Sequence, residues 1–169
     1  MAIRVFVTGG TFDKNYNEID GTLVFGDSHV GEILSLGRCK LPIKIRTLMM
    51  VDSLEMTVED RQIIVDNCRN CRESRIIITH GTDTMVETAK SLGGMHLGKT
   101  IVLTGAMVPF TFGSSDGLFN IGSAVAFVQA LSPGVYIAMN GRVFSWDNVR
   151  KNRQLGEFEE IVPSGRVND

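Results

Sequence analysis

Along the chain, short β-branched and aliphatic runs alternate with segments whose apolar residues recur at helical spacing. That order is the pattern of βαβ units and of a parallel sheet covered on both faces. Residues 3–8, 43–50, 75–79, 100–103 and 135–139 read as buried strands, and residues 142–144 as a hairpin strand after the Asn140-Gly141 turn. Helical period appears over residues 57–72, where Ile63, Ile64, Cys68 and Cys71 form a stripe and Thr57 is placed to cap ahead of Glu59 and Asp60. A second helix over 83–92 closes at Gly93-Gly94, and a third over 118–131 closes at Ser132-Pro133-Gly134. The predicted fold is α/β: a doubly wound, mainly parallel sheet of the Rossmann or flavodoxin-like kind, as a single domain over residues 1–169.

Two stretches lack a clean period. Residues 13–31 are rich in Asp, Asn and Gly apart from a short run at 22–25, which predicts a mobile loop or hairpin after the first strand. Residues 148–169 are mixed in charge, with Pro163-Ser164-Gly165 near the end. They read as a tail, extended or dependent on a neighbour from about residue 152 onward.

Composition narrows the function only by exclusion. The 169 residues suffice for one core without staples, and 43% hydrophobic with 21% charged residues is ordinary for a globular protein. A formal net charge of -2 supplies no basic field, so nucleic acid and anionic membrane are not expected partners, and a small neutral or zwitterionic ligand is. No apolar run reaches the roughly 20 residues of a membrane span, and Met1 leads directly into the first strand. The expected location is therefore the cytoplasm. Cys68-Arg69-Asn70-Cys71 spells C-x-x-C, but no second ligand pair completes a zinc site, so two reduced thiols on a helix are expected and no metal.

In an open parallel sheet the ligand crevice lies beyond the C-terminal strand ends, which directs attention to the loops that follow strands. The first is Thr8-Gly9-Gly10-Thr11-Phe12-Asp13, whose paired glycines permit a tight turn. The third strand runs into Thr79-His80-Gly81-Thr82-Asp83-Thr84 at the mouth of a helix, and the fourth into Thr104-Gly105-Ala106-Met107. Taken singly, the glycines could be turns, Thr82 or Asp83 a helix cap and Lys151 a solvated lysine. A threonine hydroxyl is a weak nucleophile and needs a proton acceptor and a cation beside it. Thr82, Asp83 and Lys151 supply hydroxyl, carboxylate and amine.

Three motifs carry a resemblance to the bacterial-type L-asparaginase (asparaginase/glutaminase) family: Thr8-Gly9-Gly10-Thr11; Ile78-Thr79-His80-Gly81-Thr82-Asp83-Thr84-Met85; and Leu103-Thr104-Gly105-Ala106-Met107 with Ser115-Asp116-Gly117 and Asn120. The resemblance implies hydrolysis of L-asparagine to L-aspartate and ammonia through an acyl-enzyme, with minor activity on glutamine and no cofactor. It implies Thr11 as nucleophile, Tyr16 as the loop tyrosine that activates it, and Thr82, Asp83 and Lys151 as the second catalytic set. Substrate would be bound by Gly10, Ser53, Thr82 and Asp83, with Ser53 on the α-carboxylate and Asp83 on the α-amino group. The chain departs from the family at Leu54, where a glutamine is usual, and corresponds only to the family's N-terminal domain. The acidic group that the C-terminal domain lends to a neighbouring subunit would then come from elsewhere, such as Glu157, Glu159 or Glu160 of a second copy. A homo-oligomer, dimer or tetramer, is implied.

Two alternatives remain. Gly10-Thr11-Phe12-Asp13 also resembles the start of a nucleotidyltransferase motif, although Lys14-Asn15-Tyr16 follows where two histidines around a glycine are usual. The other is a catalytically silent amino-acid-binding domain or an amidotransferase subunit.

Overall fold

The structure is a computed structural model and describes residues 2–163. Six strands form one sheet in the order β4-β1-β5-β6-β7-β8: β1 (Ile3–Val7), β4 (Ile43–Thr47), β5 (Arg75–Thr79), β6 (Thr100–Thr104), β7 (Gly134–Met139) and β8 (Arg142–Ser145). The first five are mutually parallel and β8 is antiparallel to β7. Helices α1 (Val30–Leu36) and α4 (Gly117–Ala130) cover one face, and α2 (Val58–Asn70) and α3 (Met85–Gly93) the other. The doubly wound architecture is the expected one, and its parallel strands follow the flavodoxin-like order 2-1-3-4-5.

The interior strands read as nearly continuous apolar runs because both faces are buried. Ile76, Ile78, Ile101 and Leu103 pack toward α2 and α3, while Val5, Val7, Ile77 and Val102 pack toward α1 and α4. β4 lies at the sheet edge and carries Lys44 and Arg46, charges that discourage a further strand from pairing there. The β7–β8 hairpin turns through Asn140 and Gly141, both at positive φ (52° and 79°), as that dipeptide predicts.

Helix α2 begins at Thr57, whose hydroxyl accepts from Asp60 N–H while the Asp60 carboxylate accepts from Thr57 N–H. At its other end Lys99 Nζ donates to the carbonyls of Cys68 (2.7 Å) and Cys71 (2.6 Å), placing a cation on the negative end of the helix dipole. Burial, aided by the nearby Cys71 and opposed by Lys99, pushes the Cys68 thiol up to about 12, which removes it from thiolate chemistry. Among the described residues no helix is long and apolar enough to cross a membrane.

The two stretches without period are more ordered than their composition predicts. Within residues 13–31 the structure forms a hairpin of β2 (Lys14–Asn17) and β3 (Thr22–Phe25), followed by the start of α1. The helix is seven residues long and buries only Val30 and Ile33, too little to leave a stripe in the sequence. It is held from outside by Asp13 Oδ1, which accepts from His29 N–H at 2.9 Å.

The expected tail folds back as a second hairpin, β9 (Arg150–Asn152) with β10 (Glu157–Glu159). Its anchor is Phe158, 3% exposed in the core, with Arg142 Nη1 donating to the Phe158 carbonyl at 3.2 Å. Burying one phenyl side chain contributes about 1.5–3 kcal/mol, enough to order a short hairpin without a neighbour. Residues 164–169, the end of the predicted tail, lie outside the described residues.

Candidate active site

The strand order reverses between β1 and β5, since the chain leaves β1 for β4 on one side and returns to β5 on the other. The loops after these two strands therefore diverge around a crevice at the switch point. What brings the loops close is the absence of side chains. A Cβ at Gly10, which has φ 90°, would lie 2.5 Å from Gly81 Cα, and one at Gly81 would lie 2.5 Å from Ser53 Oγ. Gly9 approaches Val51 in the same way. The loops after β1, β4 and β5 thus meet closely, Gly9 and Gly10 on the backbone of Val51 and Gly81, and Gly81 on the Ser53 side chain, which brings together the segments that bear Thr11, Ser53 and Thr82.

Thr82 is 5% exposed. Lys151 Nζ donates to Thr82 Oγ1 at 2.8 Å and to Asp83 Oδ1 at 2.7 Å. The lysine side chain is 10% exposed and Asp83 38%, so the ammonium is largely withdrawn from water while the carboxylate keeps an open side. Lys151 owes this position to β9, where it pairs with the buried Phe158 of β10. A shallow hollow of about 350 Å³ beside it is lined by Arg150, Asn152, Arg153 and Glu159. A cation donating to a hydroxyl stabilises the alkoxide form of that hydroxyl, so this geometry is chemically able to ease proton removal from Thr82.

Ser53 is buried, and its carbonyl accepts from Thr84 Oγ1 at 2.7 Å. Leu54 beside it is exposed. Thr11 opens a short 3-10 turn, Thr11–Asp13, whose Phe12 is buried and whose Asp13 holds α1. Tyr16 is not drawn into the group. It pairs with Leu23 on the β2–β3 hairpin, is 59% exposed, and its hydroxyl lies 3.8 Å from where a Gly21 Cβ would be. The base of that hairpin is tied to the crevice by Lys14, whose ammonium meets Asp52 Oδ2 at 2.5 Å.

Two side chains within the recognised motifs have roles that spacing alone does not announce. His80 is fully buried, with Nδ1 2.7 Å from the Gly81 carbonyl and Nε2 2.7 Å from Thr88 Oγ1. A carbonyl only accepts, so Nδ1 carries the proton and Nε2 accepts from the threonine. Burial holds His80 down at about 4 against the opposing pull of the Gly81 carbonyl, and the Arg61 charge lowers it further, so the ring is neutral and acts as a brace for Gly81. Asn120 is likewise buried, donating to the Gly105 carbonyl (2.8 Å) and Asp116 Oδ2 (2.9 Å) and accepting from Asn140 N–H (2.9 Å). It ties the loop after β6 to the hairpin that leads toward Lys151. His80 directly follows a strand in a polar loop, and Asn120 is a polar position within the uncharged helix α4, the sequence signals that could have marked them.

Comparison with known proteins gives the same direction. The family described as "Asparaginase, N-terminal" matches residues 2–158. L-asparaginase 1 of Escherichia coli is 34% identical over 163 residues, covering 89% of this chain and 47% of that protein. A glutaminase-asparaginase of Acinetobacter glutaminasificans is 46% identical over 80 residues, 45% of this chain and 24% of its own length. The thermostable L-asparaginase from Thermococcus kodakarensis superposes with a TM-score of 0.82 at 30% identity, over 95% of this chain and 51% of that one. The chain spans about half the length of the full-coverage relatives it matches. With its flavodoxin-like sheet, its glycine-apposed loops and this match over nearly its whole length, the chain belongs to the asparaginase family, in the part that forms the family's N-terminal domain.

Proposed function

We propose that the protein is an amidohydrolase that converts L-asparagine to L-aspartate and ammonia. The observation that carries this reading is the Thr82–Asp83–Lys151 triangle, set at the switch-point crevice that also receives Thr11. In the proposed reaction Thr11 Oγ1 attacks the side-chain carboxamide carbon and the C–N bond breaks. The hydroxyl proton leaves with the nitrogen as ammonia, and water then cleaves the aspartyl ester and restores Thr11. Backbone N–H groups near Gly10 and Thr82 would face the oxyanion. Asp83, with its open side, suits the substrate ammonium, and Ser53 its α-carboxylate. No step calls on a metal or an organic cofactor.

Tyr16 enters this scheme only if its hairpin moves toward Thr11. Discrimination between asparagine and glutamine is a matter of one methylene, worth about 1–3 kcal/mol, and minor glutaminase activity fits the exposed Leu54. A homo-oligomer is supported by α4, which has no charged residue in its fourteen positions yet leaves Leu118 and Phe119 exposed. Of the acidic residues considered for a neighbour's site, Glu159 is bound to Arg150 and Glu160 is engaged as well, which leaves Glu157. The free thiols Cys39, Cys68 and Cys71 fit a reducing cytoplasm.

The exposed position of Tyr16 favours one second reading, a silent amino-acid-binding domain or amidotransferase subunit. Purified protein incubated with millimolar L-asparagine, and separately L-glutamine, while ammonia is followed separates the two. Ammonia from asparagine supports hydrolysis; calorimetric binding of asparagine without ammonia supports the silent domain. Pyrophosphate released from ATP in place of either would mark a nucleotidyltransferase.

A further inference from the structure

Arg61 stands on the first turns of α2, outside the recognised motifs, yet its guanidinium connects two of the crevice loops. Nη1 donates to the carbonyls of Met56 (2.9 Å) and Thr57 (3.2 Å), and Nη2 donates to Thr84 Oγ1 at 2.9 Å. Thr84 does not spend its hydroxyl on capping α3, the helix it precedes; it donates instead to the Ser53 carbonyl at 2.7 Å. The chain Arg61–Thr84–Ser53 therefore fixes the backbone of Ser53 from one side, while Gly81 closes on its side chain from the other. An Arg guanidinium is suited to this because its planar fork reaches several acceptors with little loss of freedom per bond. Arg61 Nε is buried and has no partner among the described residues, so the side chain is held for what its two terminal nitrogens do.

We infer that Arg61 and Thr84 are positioning residues that hold the Ser53 loop in register for the α-carboxylate of the amino-acid substrate. The inference rests on the reading of this crevice as an amino-acid amide site. It predicts that the clamp serves ligands bearing an α-carboxylate and is indifferent to the same molecule without it. For asparagine that partner molecule is 3-aminopropanamide, which keeps the amine and the carboxamide.

The test measures binding of L-asparagine and of 3-aminopropanamide by calorimetry in a Thr11→Ala background, so that turnover does not interfere. Thr84→Val removes the hydroxyl at nearly constant shape, Thr84→Ser restores it, and Arg61→Lys keeps the charge while losing the fork. Loss of one such hydrogen-bonded link corresponds to roughly ten-fold weaker binding of asparagine in Thr84→Val, with Thr84→Ser close to the parent. Arg61→Lys should fall in the same direction, and 3-aminopropanamide should change less than two-fold throughout. Equal weakening of both ligands, or a Thr84→Ser as poor as Thr84→Val, would overturn the clamp and leave the asparaginase reading standing. If the parent binds neither ligand, the asparaginase reading itself fails and the inference falls with it.

Discussion

Gly10 and Gly81 are in backbone contact across the switch point, so close that a Cβ on Gly10 would sit 2.5 Å from Gly81 Cα. The contact costs both residues their side chains and joins a strand-end loop bearing Thr11 to one bearing Thr82. Gly10→Ala, strained also by φ 90°, should destabilise the fold by about 1–3 kcal/mol in urea unfolding. It should also reduce asparagine turnover by on the order of 100-fold through misplacement of Thr11. A Gly10→Ala protein with wild-type stability and turnover would show that the loops do not meet this way.

Lys151 offers a second test, because its charge and its position can be altered separately. Lys151→Met leaves the hairpin intact and should lower kcat by about 100- to 10,000-fold with little change in unfolding free energy. Phe158→Ala keeps the lysine and its charge but empties the hairpin anchor that positions it, and should cost about 3–5 kcal/mol. If Phe158→Ala retained full stability, β9–β10 would not be held as described.

Much of this arrangement is legible in the sequence, and the illegible part has a physical cause. Four of the five parallel strands are buried apolar runs, β4 being the exposed edge, and the three longer helices run nine to fourteen residues, so their pattern survives local noise, and residues 75–79 fall at the same bounds in sequence and structure. Helix α1 and the β9–β10 hairpin bury two residues and one, respectively, and are tied down by contacts to residues distant in sequence, Asp13 to His29 for the helix, and Arg142 to Phe158 with Lys151 to Thr82 and Asp83 for the hairpin. Such long-range anchors leave no period. At the crevice, Lys151 meets Thr82 and Asp83, and Gly81 meets Gly10 and Ser53, whereas Arg61 and Thr84 act through main-chain carbonyls that no sequence pattern encodes. Tyr16 was assigned by position in a loop, and the antiparallel pairing of β2 with β3 directs it elsewhere.

Acid should unfold the protein in stages. His80 is held at about 4 by burial, from an ordinary 6.5, so below pH 6.5 the unfolded chain takes up a proton that the native one refuses. Stability therefore falls between pH 6.5 and 4, by roughly 3 kcal/mol in all. Glu73 adds a later loss. Desolvation pushes its carboxyl up, but Lys44, its own backbone and Arg4 outweigh this and hold it at about 2, so its contribution, complete above 4.5, disappears as pH falls toward 2. Asp13, raised by burial in spite of the His29 N–H, works in the opposite sense above its ordinary 3.8. Urea midpoints from pH 7 to 4 should drop in wild type and stay nearly level in His80→Gln. Parallel slopes in the two proteins would contradict a buried neutral His80.

Asn120 should be as costly to lose as an apolar core residue. Asn120→Leu strands the Gly105 carbonyl and the Asn140 N–H, two main-chain groups otherwise paired to this one amide. At about 1–3 kcal/mol for each group left unsatisfied, the melting temperature should fall by several degrees. An unchanged melting temperature would mean that water replaces the amide.

In the proposed mechanism Thr11 carries the acyl group. Protein mixed with L-asparagine, quenched in acid within milliseconds and digested should yield an aspartyl ester on the peptide containing Thr11. The adduct should be absent from Thr11→Ala, which should also release no ammonia, while Thr82→Ala should slow both its formation and its hydrolysis. Steady ammonia release by Thr11→Ala at the wild-type rate, with no ester on that peptide in wild type, would contradict the account.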